Sequence, residues 1–353
     1  MRVVQWSTGN VGRHSIAGID ARPELELVGL WVSDPNKVGK DAGQLAGLGR
    51  DLGVLATNDA DALIALKPDC IVHTAMADNR LMEALADLAR FLEAGINVVS
   101  SCPVFLQYPD GVVPPDFVVP IREAAAKGNA SLFVNGVDPG FANDWLPLVI
   151  TSVSERIEEV RCMELLDYST YDSATVMFDV MGFGKPLNET PMLLMPGVLT
   201  MAWGSVVRQI AAGLDIELDE IKETVEKLPA PEDFDIASGP IAKGTMAAVR
   251  FEVQGWYHGK PTVVLEHVTR LRPDLGPDWP QPAGQGCYRV VVTGEPIYTV
   301  DMQLMGTDGD HNTAGLKATA MRLVNAVEAV VAAPPGLVTA LDLPLITGRG
   351  LVV

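Results

Sequence analysis

The chain has 353 residues, of which 48% are hydrophobic and 20% charged, a composition typical of a globular protein with enough core for two domains. Its 26 Lys and Arg against 45 Asp and Glu give a net charge of −19, which excludes nucleic acid as a partner because phosphate contacts need a basic face. No apolar run approaches the roughly 20 residues of a membrane span, and a strand begins at residue 2, so we expect neither a membrane partner nor a signal peptide.

The cysteines and histidines are scattered along the chain without metal-ligand spacing. There is no Cys-x-x-C pair, which argues against a zinc site and is typical of a protein in a reducing compartment. We therefore predict a cytoplasmic protein that holds no metal.

Strand and helix patterns alternate through the first part of the chain. An apolar strand ending at Trp6 runs into the turn Thr8-Gly9-Asn10-Val11-Gly12, after which a helix begins. Further strands are predicted at 26–32, 70–74, 96–100 and 130–135, and helices at 59–66, 79–94 and 120–127. This alternation predicts the α/β fold class, with a Rossmann-type, doubly wound parallel sheet over residues 1–150.

Near residue 150 the pattern changes to hairpins. Residues 246–257 alternate apolar and polar side chains, and a turn at His258-Gly259 leads into a strand at 263–270. Strands at 157–166, 289–293 and 297–304 complete a mostly antiparallel sheet, with helices at 199–212 and 217–227. We predict an α+β second domain over residues 151–310. The segment 311–353, which opens with a helix at 314–332, is expected to return to the first domain.

The first strand–turn–helix unit predicts a dinucleotide site. Gly9 is expected to permit the tight turn, and Gly12 to remove a side chain that would block a pyrophosphate at the positive end of the helix. The alternative interpretation is an ordinary turn that binds nothing.

The end of the second strand bears on the choice of cofactor. An acid at the end of this strand binds the ribose of NAD, whereas here Ser33 stands there, with Arg13 and Lys37 near enough to meet a 2′-phosphate. Asp34 is the counter-argument if the strand ends one residue later. We predict NADP, with NAD as the alternative.

About the first 140 residues resemble the cofactor domain of dihydrodipicolinate reductase. The catalytic histidine pair of that family and its lysine-containing segment are absent. The resemblance lies in Gly9-Asn10-Val11-Gly12-Arg13 and in the segments 39–47, 71–74, 98–102 and 133–136.

Over nearly its full length the chain is more similar to 2,4-diaminopentanoate dehydrogenases and native amine dehydrogenases. This resemblance implies an NAD(P)H-dependent oxidoreductase that transfers hydride to or from an imine, amine or carbonyl carbon of a small substrate. It also implies a homodimer, with the second domain binding substrate and forming the dimer. The segments that carry it are 138–143, 171–173, 181–184 and 331–339.

One departure from the resemblance concerns a glutamate. Amine dehydrogenases of this group place a glutamate before a Tyr-Pro, after the strand that corresponds to 96–100, where it handles the ammonia proton. Here Val104 and Phe105 stand at the expected position of the acid. A sugar dehydrogenase of the glucose–fructose oxidoreductase type would need Glu-Lys-Pro where Ser101-Cys102-Pro103 stands. The departure keeps a second hypothesis open, a dinucleotide-binding sensor or non-catalytic dimer on the same scaffold.

Candidate site residues follow from these patterns. Hydride transfer needs a proton donor, for which Tyr168, His267 and Asp172 are the candidates, against the plainer interpretations of a core histidine and a solvated loop. The resemblance implies substrate contacts by Phe141 and Trp145, whose plainer role is core packing. Tyr171, in the same loop as Tyr168 and Asp172, is a further candidate for substrate binding, and its plainer interpretation is a solvated loop. The predicted cofactor-binding residues are Gly9, Asn10, Val11, Gly12, Arg13, Ser33, Lys37, His73, Thr74, Ala75, Ser101 and Asn135.

Overall fold

The computed structural model describes residues 1–77 and 80–352. The chain forms two compact units, the first comprising Met1–Val137 and Leu316–Val353 and the second Asp138–Gly315. The first boundary thus lies before the residue 150 that the change in pattern indicated. No helix in the described ranges is long and apolar enough to cross a membrane.

The first unit is built on a seven-stranded sheet in which every pairing is parallel. Its strands are β1 (Arg2–Trp6), β2 (Glu26–Trp31), β3 (Ala56–Thr57), β4 (Cys70–His73), β5 (Asn97–Ser100), β6 (Ser131–Val134) and β15 (Gly336–Val338). Their order across the sheet is β15-β6-β5-β4-β1-β2-β3, so the winding reverses at β1. The predicted Rossmann-type fold is confirmed.

Helices cover this sheet and supply its core. They are α1 (Asn10–Asp20), α2 (Ala42–Ala46), α3 (Ala60–Ala65), α4 (Leu81–Glu93), α5 (Val119–Gly128) and part of α8 (His311–Ala332). Leu323, Val327 and Val330 of α8 are buried in one cluster with Val3 of β1 and Val72 of β4. Residue 79, at the start of the predicted helix 79–94, lies outside the described residues.

The second unit contains a six-stranded sheet in the order β14-β13-β7-β12-β11-β8. Its pairings are antiparallel except that of β7 with β12, which is parallel. The strands are β7 (Arg156–Asp167), β8 (Glu220–Pro229), β11 (Met246–Tyr257), β12 (Lys260–Arg270), β13 (Gly286–Glu295) and β14 (Tyr298–Met302). Two short strands, β9 (Phe234–Ile236) and β10 (Gly239–Ile241), pair separately, and the helices are α6 (Trp145–Ile150) and α7 (Val198–Gly213).

The predicted helix at 217–227 is wrong, because this segment forms the edge strand β8. Its Glu and Lys residues have good helix propensity, which misled the interpretation. Pairing along the whole of β11 overrides that propensity. Exposed charged side chains also suit an edge strand, since they discourage pairing with a further chain.

The helix predicted at 120–127 is present as α5 and ends one residue later than expected. Gly128 is the last helical residue, and Asn129 caps the helix in the left-handed conformation with φ 53°. Gly128 is needed for a different reason. A Cβ there would lie 1.7 Å from the carbonyl oxygen of Leu92 in α4, so a side chain cannot fit without moving backbone.

We therefore expect Gly128→Ala to lower the free energy of unfolding by about 1–3 kcal/mol, the usual cost of overpacking. Urea unfolding measures this change. Lys127→Ala, at an exposed position of the same helix, is the control and should have a small effect. Equal stability of Gly128→Ala and the parent protein would contradict the close packing of α4 and α5.

Candidate functional site

The turn between β1 and α1 contains the glycines of the predicted dinucleotide site. Ser7, and not Gly9, holds the left-handed conformation, with φ 85°, whereas Gly9 is extended with φ −73°. A Cβ at Gly9 would have its nearest neighbour at 3.9 Å, but one at Gly12 would lie 2.3 Å from the Ser7 carbonyl oxygen. The two glycines therefore have roles that differ from those expected. The missing side chain of Gly9 leaves open space at the start of α1, and the missing side chain of Gly12 allows the helix to pack closely against the turn.

Charged side chains lie close to this turn. Lys37 Nζ donates a hydrogen bond to Thr8 Oγ1 at 3.1 Å, and Arg13 is exposed in the first turns of α1. Asp34 accepts a hydrogen bond from the Asn36 amide at 2.9 Å, so one of its oxygens caps the following helical turn. The open space, the helix N-terminus and the lysine together fit a dinucleotide phosphate.

The other predicted cofactor residues follow strands β4, β5 and β6. Because the carboxyl ends of parallel strands meet at one edge of a sheet, Thr74, Ser101 and Asn135 lie along the same edge as the turn. Ser33 is exposed, and Ala75 is buried.

His73 has a different environment from that of an exposed cofactor ligand. Its ring is fully buried and lies 2.9 Å, Nδ1 to Oγ, from Ser100. Burial, aided by the positive charge of Arg80, lowers the pKa of His73 to about 3. The imidazole is therefore neutral at physiological pH and held within the sheet.

A row of side chains crosses the sheet of the second unit. Tyr288 of β13 pairs with Glu164 of β7, which pairs with His267 of β12, which pairs with Phe251 of β11. Directly paired residues project from the same face of a sheet, so these four side chains are neighbours. Strand register thereby brings a carboxylate beside the predicted His267.

Asp138 completes a cluster with Glu164 and His267, which we call the acid–histidine cluster. His267 Nε2 lies 3.3 Å from Asp138 Oδ1, and His267 Nδ1 lies 3.5 Å from Glu164 Oε1. All three side chains are at most 6% exposed. Tyr168 donates its hydroxyl hydrogen to Glu164 Oε1 at 2.8 Å, and Trp203 Nε1 donates to Asp138 Oδ1 at 2.9 Å.

Aromatic rings enclose His267. Phe251 stacks on it with ring centroids 4.7 Å apart, and Trp203 meets it edge-on at 4.5 Å. Burial opposes a charge on the ring, but the attraction of Asp138 and Glu164 outweighs it and raises the pKa of His267 to about 10. The imidazolium therefore lies between two carboxyl groups, one facing each ring nitrogen.

Tyr168 acts as a hydrogen-bond donor in this environment. Burial, together with the negative charge of Glu164, raises the pKa of Tyr168 well above its usual range. Its hydroxyl therefore keeps its proton at neutral pH and orients the Glu164 carboxylate.

The three side chains of the cluster are close enough to be considered as metal ligands, since one ligand atom from each lies within 4.8 Å of the others. The two carboxylates, however, face different nitrogens of the same ring. A protonated imidazole has no lone pair for a metal. The arrangement is suited to holding protons and N–H groups.

Of the remaining predicted residues, the aromatic ones form stacked pairs and the acid lies in an exposed loop. Tyr171 stacks on Tyr168 with centroids 5.1 Å apart, and Phe141 stacks on Trp145 at 5.4 Å. Asp172 is exposed in the loop after Tyr171. Of the three predicted proton donors, Tyr168 and His267 thus both lie beside Glu164, and Asp172 does not belong to this cluster.

Sequence reasoning missed Asp138, Glu164 and Trp203. The available signal was Glu164, an acid inside the apolar run Cys162-Met163-Glu164-Leu165-Leu166, because a carboxylate in such a strand has to find partners. Asp138 lies in the segment 138–143 that carries the family resemblance, and its local sequence pattern does not mark it as a site residue.

The segment after β5 supplies no carboxylate. Residues Val104–Gln107 form a short 3-10 helix in which Phe105 and Leu106 are buried. The residue directly before Tyr108-Pro109 is Gln107, which is buried and carries an amide.

Comparisons with known proteins identify the family. A family model described as the C-terminal domain of 2,4-diaminopentanoate dehydrogenase matches residues 141–349, more than half of the chain. An amine dehydrogenase of Streptomyces virginiae is 44% identical over 347 residues, covering 97% of this chain and 96% of that protein. The chain belongs to the 2,4-diaminopentanoate dehydrogenase and amine dehydrogenase family. It is therefore an enzyme of the oxidoreductase class.

More distant relatives agree with this family. The 2,4-diaminopentanoate dehydrogenase of Acetoanaerobium sticklandii is 22% identical over 294 residues, covering 81% of this chain and 78% of that protein. The structure of an amine dehydrogenase from Mycobacterium smegmatis superposes with a TM-score of 0.79 at 21% identity, covering 99% of this chain and 97% of that one. The latter likeness supports the fold.

The raised pKa of His267 predicts a pH-dependent stability. Its folded pKa of about 10 exceeds the usual unfolded value of about 6.5. Protonation therefore contributes stability fully below pH ~6.5, and this contribution declines as the pH rises through 10. We expect the midpoint of urea unfolding to fall between pH 7 and pH 10, and to fall less steeply in His267→Gln. His258→Gln, at an exposed turn, is the control, and identical slopes in parent and His267→Gln proteins would contradict the charged imidazole.

Proposed function

We propose that the protein is an NAD(P)H-dependent oxidoreductase that transfers hydride to or from the imine, amine or carbonyl carbon of a small substrate. The observation that carries this proposal is the acid–histidine cluster, in which a buried imidazole lies within 3.5 Å of two buried carboxyl groups inside an aromatic enclosure. Hydride transfer to such a carbon requires a proton to move at the neighbouring heteroatom. Membership in a dehydrogenase family supports the same class of reaction.

A nicotinamide dinucleotide would be held by the first unit, and when bound it supplies or accepts the hydride. The turn at Gly9, the N-terminus of α1 and Lys37 would hold its phosphates. NADP is our preferred cofactor, because Lys37 and Arg13 offer positive charge while Asp34 is engaged in capping. NAD is the alternative.

The second unit would supply the proton chemistry. His267 would hold the exchangeable proton, and Tyr168 and Trp203 keep the two carboxylates in place. The homodimer and the cytoplasmic location expected from the sequence stay predictions, as does the absence of a metal. A non-catalytic sensor is disfavoured, since a buried charged cluster is costly to keep without a use.

The test is NADPH consumption with a panel of small ketones and aldehydes, with and without ammonium chloride, followed by absorbance at the nicotinamide band. Turnover of at least one carbonyl supports the proposal. Binding of NADPH without turnover of any carbonyl or amine would instead support the sensor hypothesis.

Cofactor preference gives a sharper prediction. Lys37→Ala and Arg13→Ala should each weaken NADPH binding by roughly 1–3 kcal/mol, the scale of a charge-assisted hydrogen bond, and NADH binding much less. Fluorescence titration of both cofactors measures the difference. Lys127→Ala, on the surface of α5, is the control; equal losses for the two cofactors, or a preference of the parent protein for NADH, would refute the choice of NADP.

Loss of the imidazolium should impair turnover. His267→Gln is expected to lower kcat by about 10²–10⁴-fold, the usual contribution of general acid–base catalysis. The dissociation constant of NADPH, measured separately, should change little because the variant leaves the first unit intact. A full-rate His267→Gln enzyme would exclude His267 from the chemistry.

A further inference from the structure

We infer that Ser238, in the turn of the β9–β10 hairpin, is a positioning residue that fixes the segment 168–173 and, through it, the hydrogen bond from Tyr168 to Glu164. This inference rests on the proposed function, in which the acid–histidine cluster supplies the proton chemistry. It gives a role to the hairpin, which pairs separately from the six-stranded sheet.

The segment 168–173 follows β7 and has an irregular backbone. The Tyr168 amide still donates to the Arg270 carbonyl of β12 at 2.8 Å, but the strand pairing ends before this residue. A turn follows, with a hydrogen bond from the Tyr171 amide to the Tyr168 carbonyl at 3.0 Å. The other backbone groups of the segment therefore need side chains or distant parts of the chain as partners.

The hairpin turn makes three hydrogen bonds to this segment. The Ala237 amide donates to the Ser169 carbonyl at 2.8 Å. The Ser238 hydroxyl donates to the Tyr171 carbonyl at 2.8 Å and accepts from the Ser173 amide at 3.0 Å. A hydroxyl can donate and accept at once, so Ser238 joins two backbone groups that lie two residues apart. Alanine at this position would leave both groups without that partner.

The hairpin itself is fixed to the core of the second unit. Ile236 of β9 and Ile241 of β10 are buried in the hydrophobic cluster of this unit, with exposed fractions of 9% and 1%. Between them Gly239 has φ 139°, and a Cβ there would lie 3.4 Å from the Phe178 ring. The turn thus packs closely on Phe178, and Ser238 lies on a firmly packed support.

Direct contacts lead from this segment to the cluster. Tyr171 stacks on Tyr168 with ring centroids 5.1 Å apart and 18° between the ring planes. Tyr168 donates its hydroxyl hydrogen to Glu164 Oε1 at 2.8 Å, and the same oxygen lies 3.5 Å from His267 Nδ1. A shift of the Tyr171 backbone would therefore move the stacked tyrosines and, with them, the hydrogen bond that orients Glu164.

A second set of hydrogen bonds holds the start of the segment independently of the hairpin. Thr170 Oγ1 donates to Asp310 Oδ1 at 2.9 Å and accepts from Asn312 Nδ2 at 2.8 Å. Asn312 Nδ2 also donates to the Asp167 carbonyl at 2.9 Å. Because none of these bonds involves Ser238, loss of its hydroxyl should loosen residues 171–173 and leave the start of the segment in place.

A double-mutant cycle tests the inference, with NADPH consumption measured on the carbonyl compound of the panel that the parent enzyme turns over fastest. Ser238→Ala should lower kcat/KM about 5- to 30-fold, the size expected for one or two lost hydrogen bonds, whereas Ser238→Thr, which keeps the hydroxyl, should retain most of the rate. In the Tyr168→Phe background Ser238→Ala should have almost no further effect, because the hydrogen bond to Glu164 is already lost. Thr245→Val is the matched control, since it removes a hydroxyl that bonds to the nearby Ala242 carbonyl, and it should leave the rate unchanged.

Nuclear magnetic resonance tests the same path without turnover. The ring nitrogen chemical shift of His267 Nδ1, which faces Glu164, should move in Ser238→Ala in the same direction as in Tyr168→Phe, and the spectrum of His267→Gln assigns the signal. An unchanged shift in Ser238→Ala, or additive effects of Ser238→Ala and Tyr168→Phe on kcat/KM, would overturn the inference and leave the oxidoreductase standing. Absence of any turnover by the parent protein would overturn the proposed function, and the chemical shift would still decide the role of Ser238.

Discussion

The register of β7 is the constraint on which the second unit depends. This strand lies between β13 and β12, and its alignment places Glu164 beside His267 and Tyr288 in one row. A slip of one residue would turn Glu164 to the opposite face and bring Met163 or Leu165 into its place. The carboxylate would then lose the imidazole and the tyrosine hydroxyl that make its burial tolerable, and a buried ion without partners costs several kcal/mol. The sheet and the cluster are therefore specified by the same set of pairings.

The two faces of this sheet treat charge in different ways, and adjacent residues of β12 show the contrast. Glu266 accepts hydrogen bonds from Arg161 and Arg250. The same two arginines also pair with the carboxylates of Glu159, Glu226 and Glu252. His267 projects to the other face, where two carboxylates share one imidazolium. The first arrangement is a network of ion pairs between side chains of neighbouring strands. The second arrangement places two carboxyl groups and an imidazole with a strongly raised pKa inside an aromatic enclosure, and a strongly shifted pKa of this kind is typical of functional sites.

Backbone geometry shapes the proposed phosphate site of the first unit. Ser7 adopts the left-handed conformation of the turn. The missing side chain of Gly9 leaves open space, and the missing side chain of Gly12 allows α1 to pack closely against the turn. Lys37 reaches this turn from the segment after β2 and adds the charge that the backbone lacks. A strongly acidic chain thus has a local cationic feature where a dinucleotide phosphate is expected.

Local patterns in the sequence determined the alternating strands and helices, the parallel sheet and the later hairpins, because hydrophobic periodicity reflects which face of an element is buried. They also indicated Tyr168 and His267. The strand β8 was misread because its charged residues suit a helix, and only its pairing with β11 decides otherwise. Asp138, Glu164 and His267 are far apart in sequence, so their meeting depends on strand register and on the path of the chain before α6. No local pattern contains that information, since a contact between distant residues exists only once the sheet has assembled.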